Sequence, residues 1–374
     1  MSAVGPRIFL SAGEPSGDLH GAAVTRALRA RLPGAVLEAF GGPRMAEAGA
    51  HVLHPMERVA AFGTVEILTK LPAHVRLLKQ LRRAFEAKSY DLVVLIDYPG
   101  FHLRVAEAAR RAGIPVLYYI APQLWAWWPE RAVRFAKAVN RLAVILPFEA
   151  EFFAKLGLGA EYVGHPLLDR GAMPERNAAR AALGIRNGER VLGLFPGSRH
   201  GEVRRMWGPF RQAARRLLDE GACQRAIVAG TTQHEYPDPG PVEVHRGDPL
   251  PVFSAADAAI AKSGTTTLEA ALADTPMVVP YRAHPFTSWL SRRVLTVPYV
   301  SLVNLVAGRP LVPELLQDAV TPARLADAVR PLLDPANPAT VAQRAGLREV
   351  RERLGSAGAA GRVADMAEQL LAAG

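Results

Sequence analysis

The sequence predicts an α/β protein built of two doubly wound domains whose strand ends face one cleft. Three observations predict it. The chain has 374 residues, enough for about two domains of ~150 residues each. Short apolar runs alternate with longer helical patterns, as in a parallel sheet covered by helices. Glycine-rich and polar clusters follow the apolar runs directly, and ligands of open parallel sheets bind beyond the carboxyl ends of the strands.

In the first half, "RIFLSA", "DLVVLID", "VLYYIA" and "RLAVILPF" read as buried strands, with "AVLEAF" as the second strand, and segments 18–31, 102–112 and 130–138 read as the helices between them. The pattern weakens over 165–188, where the domain boundary is expected. It resumes with "RVLGLF", "RAIVAG", "DAAIAK" and "PMVVPY". This gives an N-terminal domain over 1–170, a C-terminal domain over 188–345 and a helical segment over 346–374, with no strand after it.

Bulk properties set the class. At 49% hydrophobic and 21% charged residues, the chain is globular in composition. A single cysteine, Cys223, leaves no internal disulfide framework and fits a reducing compartment. The first residues do not read as a signal peptide, and no stretch reaches the ~18 apolar residues of a membrane span. The net charge of +10 favours anionic partners, although an Arg-rich, GC-biased genome gives the same balance. No zinc-ligand spacing or aromatic RNA-binding signature points to nucleic acid.

The motifs lie at the strand ends. "SAGEPSGDLHG" places Gly13, Gly17 and Gly21 around a turn into a helix. It lacks the G-x-G-x-x-G order of a dinucleotide loop. Glu14, Ser16, Asp18 and His20 are more polar groups than a turn needs, which favours a site. Asp97 ends the apolar strand of "LIDYPGF"; it can accept a proton or simply cap the next helix. Trp125, Trp127 and Trp128 either pack as core or line the cleft for a sugar ring or acyl chain. In "LFPGSRHGEV" a strand ends at Pro196 and Gly197, Ser198 can cap the helix that follows, and Arg199 stands beside the helix amides, a setting that suits phosphate. "KSGTTTLEAALADTPMVVPYR" offers a second such turn at Ser263, Gly264 and Thr265. Glu269, one turn further, can accept both hydroxyls of a ribose or be an ordinary helix position. Stretch 65–85 is amphipathic, with Leu71, Leu77, Leu78, Leu81 and Phe85 on one side and Arg76, Lys79, Arg82 and Arg83 on the other. It reads as a core-facing helix with a solvated basic face or as an interfacial helix on an anionic membrane.

Taken in order, "SAGEPSGDLHGA", "GGPRM", "DYPGF", "WAW", "ILPFE", "VGHPLLD", "PGSRHGEV", "SGTTTLEAAL", "TPMVVPYR", "VSLVNLVAGR" and "VPELLQ" resemble the lipid-A-disaccharide synthase family, from about residue 7 to about residue 330. The resemblance implies a GT-B-like glycosyltransferase of two facing Rossmann-like domains, with no metal and no other cofactor. It implies transfer of 2,3-diacylglucosamine from UDP to the 6-hydroxyl of 2,3-diacylglucosamine 1-phosphate, with inversion, giving the β-1,6-linked disaccharide 1-phosphate of lipid A. Asp97 matches the family's general base and Arg199 the residue that stabilises departing UDP. Gly197, Ser198, Ser263, Gly264, Thr265, Thr267, Glu269 and Asn304 match the UDP-sugar site. Glu14, Ser16, Asp18, His20, Trp125 and Trp127 fall to the acceptor side. Leu68, Leu71, Arg76, Lys79, Arg82 and Arg83 fall to a peripheral contact with the cytoplasmic face of the inner membrane in a Gram-negative-type bacterium. The resemblance leaves room for a homodimer.

Lys262 stands where a small residue is expected, Trp128 where an arginine is, and Ala121 where a serine is common. The rival readings are a peptidoglycan transferase or a UDP-N-acetylglucosamine 2-epimerase of similar architecture, and a non-catalytic basic protein that binds nucleic acid or membranes.

Overall fold

The structure, a computed structural model, describes residues 5–56, 64–126, 130–231, 234–282 and 297–373, with the backbone alone for 64–70 and 130. The chain divides into two compact units, Met1–Arg170 with Ser356–Gly374, and Gly171–Gly355.

In the first unit strands and helices alternate along the chain. They are β1 (Arg7–Ala12), α1 (Pro15–Arg31), β2 (Val36–Gly41), α2 (Pro43–Glu47), β3 (His51–Pro55), α3 (Thr64–Glu86), β4 (Leu92–Ile96), α4 (Pro99–Arg111), β5 (Val116–Tyr119), α5 (Glu130–Ala138), β6 (Arg141–Val144), α6 (Pro147–Ala154) and β7 (Ala160–Tyr162). The strands form one seven-stranded sheet in the order β3-β2-β1-β4-β5-β6-β7, parallel throughout. Central strands are apolar on both faces because helices cover both. Phe9 and Val93 join Leu77, Leu81 and Phe85 of α3 on one face. Ile8, Leu10, Val94 and Ile96 join Val24 and Leu28 of α1 on the other. Each such buried side chain contributes roughly 1.5–3 kcal/mol of transfer free energy.

The second unit holds α7 (Arg176–Ala182), β8 (Val191–Phe195), α8 (His200–Asp219), β9 (Arg225–Gly230), β10 (Val242–Arg246), α9 (Leu250–Ala255), β11 (Ala258–Ala261), α10 (Thr265–Leu272), β12 (Met277–Tyr281), α11 (Leu302–Ala307), β13 (Glu314–Leu316), α12 (Pro322–Val329) and α13 (Pro338–Leu354). Its six strands run parallel in the order β10-β9-β8-β11-β12-β13. Leu192 and Leu194 of β8 pack with Met206, Trp207 and Phe210 of α8 and Leu325 of α12.

Residues 346–374, read from sequence as one helical segment, divide at Gly355. The last helix, α14 (Ala359–Ala372), lies on the first unit, where Val363 and Met366 join the Ile8 and Leu10 cluster. The Asp169 carboxylate fixes its start by accepting the Gly358 and Ala360 amides at 2.5 and 3.5 Å, and Arg31 pairs with Asp365.

Both sheets reverse their strand order once, at β1/β4 and at β8/β11. At such a point two adjacent strands send their connections in opposite directions, and the space beyond their carboxyl ends is left open for a ligand. The loops after these four strands are the ones that carry the polar motifs.

Candidate active site

In the first unit the chain leaves β4 through Asp97 and Tyr98, whose φ angles are +53° and +54°. Left-handed backbone at two successive non-glycine residues is unusual. It turns the chain sharply enough for α4 to start at Pro99. The Asp97 amide donates to the Tyr119 carbonyl at 2.9 Å. The Tyr98 hydroxyl is 2.7 Å from His74 Nε2 of α3, the two rings stack at 5.9 Å, and a Cβ on Gly13 would come within 2.3 Å of the Tyr98 ring. Glycine in the β1 loop is therefore what lets the Asp97 turn and the "GEPSG" loop lie against one another. Burial, and then the nearby Glu14 carboxylate, raise the Tyr98 hydroxyl above its ordinary pKa.

The other polar groups of the β1 loop separate into two kinds. Glu14 is the N-cap of α1 without a side-chain capping bond, so it leaves the first amides of α1 uncapped by a side chain; Glu14 is half-buried and Ser16 exposed. Asp18, expected on the acceptor side, has a structural part. It is 2% exposed, and its carboxylate accepts the amides of Gly42, Arg44 and Met45 at 2.8–3.1 Å, which makes it the anchor of α2. His20 packs edge-on to Tyr119 at 6.4 Å. Burial pushes its pKa down to about 4; Arg170 adds to this and Asp169 opposes it, so the ring is neutral at pH 7.

Of the two openings left by the tryptophans, Trp125 takes the buried one. It is 7% exposed, donates from Nε1 to Glu149 Oε1 at 2.8 Å and meets Phe148 edge-on at 5.0 Å. Glu149 also accepts the Ile145 and Leu146 amides at 3.2 and 3.0 Å. Burial nevertheless dominates and raises its pKa to about 7, against the pull of Trp125 and the two amides. Trp127 and Trp128 lie outside the described residues.

In the second unit β8 runs into Pro196–Arg199. Gly197 has φ +114°, and a Cβ there would come within 2.5 Å of Glu202 Oε2, so conformation and space both demand glycine. The N-cap of α8 is Arg199 and not Ser198. Glu202 reaches back to the Arg199 amide at 3.4 Å, so the orphan amide at this helix start is met by an acid three residues on, as in a capping box. The Arg199 side chain is 78% exposed and 3.6 Å from Glu202.

Lys262, which follows β11, reaches the same carboxylate, with Nζ 2.8 Å from Glu202 Oε1 and both side chains mostly buried. Burial alone would raise the Glu202 pKa, but Lys262 and Arg199 outweigh it and hold Glu202 below the usual carboxylate range. The next turn, Ser263-Gly264-Thr265, opens α10. Gly264 has φ +144° and caps the helix with no side-chain bond. Ser263 Oγ donates to the Val300 carbonyl at 2.8 Å, and Thr267 Oγ1 to the Gly264 carbonyl at 2.9 Å. These hydroxyls shape the turn, while Thr265 is exposed at its rim and Glu269 half-buried behind it. Asn304, matched by resemblance to the nucleotide pocket, is held by the fold. It is 1% exposed, accepts from the Val312 amide at 2.9 Å, and donates to Val312 O at 3.0 Å and Glu314 at 2.9 Å. Its amide locks the 304–314 loop.

In α3, Leu77, Leu81 and Phe85 are buried and Leu78 packs partly against them. Leu71 faces the other way: it is 46% exposed, with Val75 57% exposed one turn on. Arg76, Lys79, Arg82 and Arg83 are exposed around them. Only the backbone is described at Leu68.

Among the described residues no group of three or more His, Cys, Asp or Glu is placed to hold a metal, and no helix is long and apolar enough to cross a membrane.

The side chains that sequence reasoning passed over are partners of the predicted ones. Glu202 is 60 residues from Lys262, and Tyr118 is 21 residues from Asp97, while His102, only five residues from Asp97, reaches its carbonyl from α4. Only the departure of Lys262 from its expected small residue was a visible signal.

The chain matches known proteins over nearly its whole length. The family described as "Lipid-A-disaccharide synthetase" matches residues 8–360. A lipid-A-disaccharide synthase of Myxococcus xanthus is 39% identical over 99% of this chain and 98% of its own. One of Geobacter metallireducens is 39% identical over 98% and 97%. Among solved structures, the glycotransferase of kitacinnamycin superposes with a TM-score of 0.65 at 20% identity, covering 98% of this chain and 99% of its own. The UDP-GlcNAc 2-epimerase of Neisseria meningitidis does so with a TM-score of 0.60 at 11% identity, covering 98% and 100%. At those identities the two structures speak for the fold alone. The order of motifs, the matched family and the full-length relatives agree, and the chain belongs to the lipid-A-disaccharide synthase family, glycosyltransferases that make the disaccharide of lipid A.

Proposed function

We propose that Asp97 is the general base and Arg199 the leaving-group stabiliser in the reaction of UDP-2,3-diacylglucosamine with 2,3-diacylglucosamine 1-phosphate. The observation that carries this is the Asp97–Tyr98 turn, a carboxylate-bearing residue held in left-handed backbone at the β1/β4 strand reversal. Strained backbone at a ligand-binding position supports a functional role. In the reaction the Asp97 carboxylate takes the proton of the acceptor 6-hydroxyl while that oxygen attacks the anomeric carbon. The bond to UDP breaks from the opposite face, and UDP leaves with the electron pair. The new linkage is β-1,6, and the products are the disaccharide 1-phosphate and UDP.

The second unit takes the UDP-sugar. Its two glycine turns, after β8 and β11, present backbone amides to the diphosphate, with Gly197, Ser198, Ser263, Gly264, Thr265 and Thr267 shaping them. Arg199, exposed at the α8 start, meets the charge that grows on the departing phosphate. Glu269 takes the ribose hydroxyls. The first unit takes the acceptor, with Glu14, Ser16 and His20 around the β1 loop. Both substrates carry acyl chains, and the exposed strip Leu71, Val75, Arg76, Lys79, Arg82 and Arg83 of α3 has the apolar and cationic groups that hold a protein reversibly on an anionic bilayer. The enzyme accordingly works at the cytoplasmic face of the inner membrane, as a peripheral protein.

The test is Asp97→Asn. Removing a general base lowers turnover by roughly 100- to 10,000-fold, and UDP affinity should stay at the wild-type level. Turnover near wild type would remove Asp97 from the chemistry.

A further inference from the structure

Beneath the Asp97 turn lies a hydrogen-bond network that the reaction as described does not use. The Asp97 carbonyl oxygen is 2.6 Å from His102 Nδ1 and 2.6 Å from the Tyr118 hydroxyl, which donates to it. A carbonyl oxygen can only accept, so His102 Nδ1 carries a proton. His102 is fully buried, and burial drives its pKa down to about 3 even though the bond to Asp97 opposes this. The ring is therefore neutral, and Nε2 holds a lone pair. That lone pair takes the Ser11 hydroxyl, 2.7 Å away. Every polar atom of the imidazole is satisfied, and its tautomer is fixed by the bonds it makes.

We infer that His102, Tyr118 and Ser11 are positioning residues that aim the Asp97 carboxylate; this rests on the reading of Asp97 as the base. The reason is conformational. At φ +53° the Asp97 backbone is held away from the regions an L-residue prefers. Relaxation towards negative φ would redirect the Cα–Cβ bond and move the carboxylate with it. Two donors from β5 and α4 converge on the carbonyl oxygen, and the Asp97 amide is tied to Tyr119 at 2.9 Å, so the turn is pinned on both sides. The donors are uncharged. They fix the direction of the carboxylate without placing a cation beside it, which would weaken it as a base. Misplacing a reacting group by about 1 Å costs on the order of 100-fold in rate, which sets the size of the effect expected.

The experiment measures kcat, acceptor KM, UDP affinity and thermal stability for Tyr118→Phe, His102→Leu and His102→Asn, together with Asp97→Asn and the double variant Asp97→Asn/Tyr118→Phe. Tyr118→Phe keeps the ring and loses one donor; kcat should fall by about 10-fold with UDP affinity unchanged. His102→Leu removes the other donor and should fall further, by up to about 100-fold. His102→Asn, which can still donate from a position near Nδ1, should recover most of the loss. The double variant should be no slower than Asp97→Asn alone, because residues that act through one group lose their effect once that group is gone. Wild-type kcat in folded Tyr118→Phe, or a double variant slower than Asp97→Asn by the full Tyr118→Phe factor, overturns the inference. Should His102→Leu fail to fold, Tyr118→Phe and the double variant decide. A fully active Asp97→Asn is a different result, since it overturns the base assignment itself.

Discussion

Asp97 and Tyr98 hold left-handed backbone without a glycine between them, at a cost on the order of 1 kcal/mol each. Such a cost persists where surrounding contacts over-determine the conformation, and here Tyr119, His102, Tyr118, His74 and Gly13 all bear on the two residues. Arg199 is the contrasting case, a side chain left exposed beside one carboxylate 3.6 Å away. An exposed pair of that length contributes little to stability, so its removal should cost function and not fold. Arg199→Ala should lower kcat by about 100- to 1,000-fold, more than it weakens UDP binding, because the phosphate charge grows as the bond breaks. Steady-state kinetics beside a UDP titration separate the two; a loss confined to affinity would make Arg199 a ground-state contact. At this scale the sequence showed which residues stand at strand ends, but not what their side chains are used for. Asp18 reads as a site residue because it is polar in a motif, Asn304 does so by resemblance alone, and Trp125 reads as either core or cleft lining. Each spends its polar atoms on the fold, and the partners of Asp18 and Trp125 lie 24–27 residues away. Spacing along the chain carries no trace of such pairings.

Elements were legible in proportion to their burial. The central strands β1, β4, β5 and β8 are continuous apolar runs and stand out in the sequence. The edge strands β3, β7, β10 and β13 are short and half-exposed, so neither an apolar run nor a clean alternation marks them. Helix α3 was legible as amphipathic, yet its face is split. Leu77, Leu81 and Phe85 go to the core while Leu71 and Val75 stay exposed among cationic residues. Substituting Arg76, Lys79, Arg82 and Arg83 by Ser should reduce binding to anionic vesicles, and added salt should weaken wild type in the same way. Activity on detergent-dispersed substrates should survive, since those residues lie on the solvent side of the helix. Co-sedimentation with vesicles of defined charge checks this; unchanged binding that is insensitive to salt would place the membrane contact elsewhere.

Over the whole molecule, the first unit carries a set of groups whose titration is shifted by burial. Burial lowers His20 and His165 to about 4 and His102 to about 3, below the unfolded value of about 6.5. The unfolded chain therefore binds these protons first, and stability falls as pH drops from about 6.5 towards 4. Glu149, raised to about 7 chiefly by burial, acts in the opposite sense, favouring the fold as pH drops from about 7 towards 4.5. Three groups against one leave a net loss. Melting temperatures taken between pH 8 and 4.5 should fall on the acid side of about 6.5, and a midpoint that stayed level or rose there would show that the histidines titrate normally. The two-unit division and the placement of the motifs at strand ends were readable from the alternation of runs; the order of the strands, and with it the reversals at β1/β4 and β8/β11, was not. The docking of α14 on the first unit was not, because it depends on Asp169 and Arg31, which are remote from it in sequence.

This chain joins two diacylated sugars and releases UDP. Mass spectrometry of products tests this most directly, with UDP-2,3-diacylglucosamine and 2,3-diacylglucosamine 1-phosphate supplied together and separately. A β-1,6-linked disaccharide 1-phosphate and one UDP for each should form, and only when both substrates are present. Conversion of the UDP-sugar in the absence of the acceptor, or UDP release without a disaccharide, would contradict this.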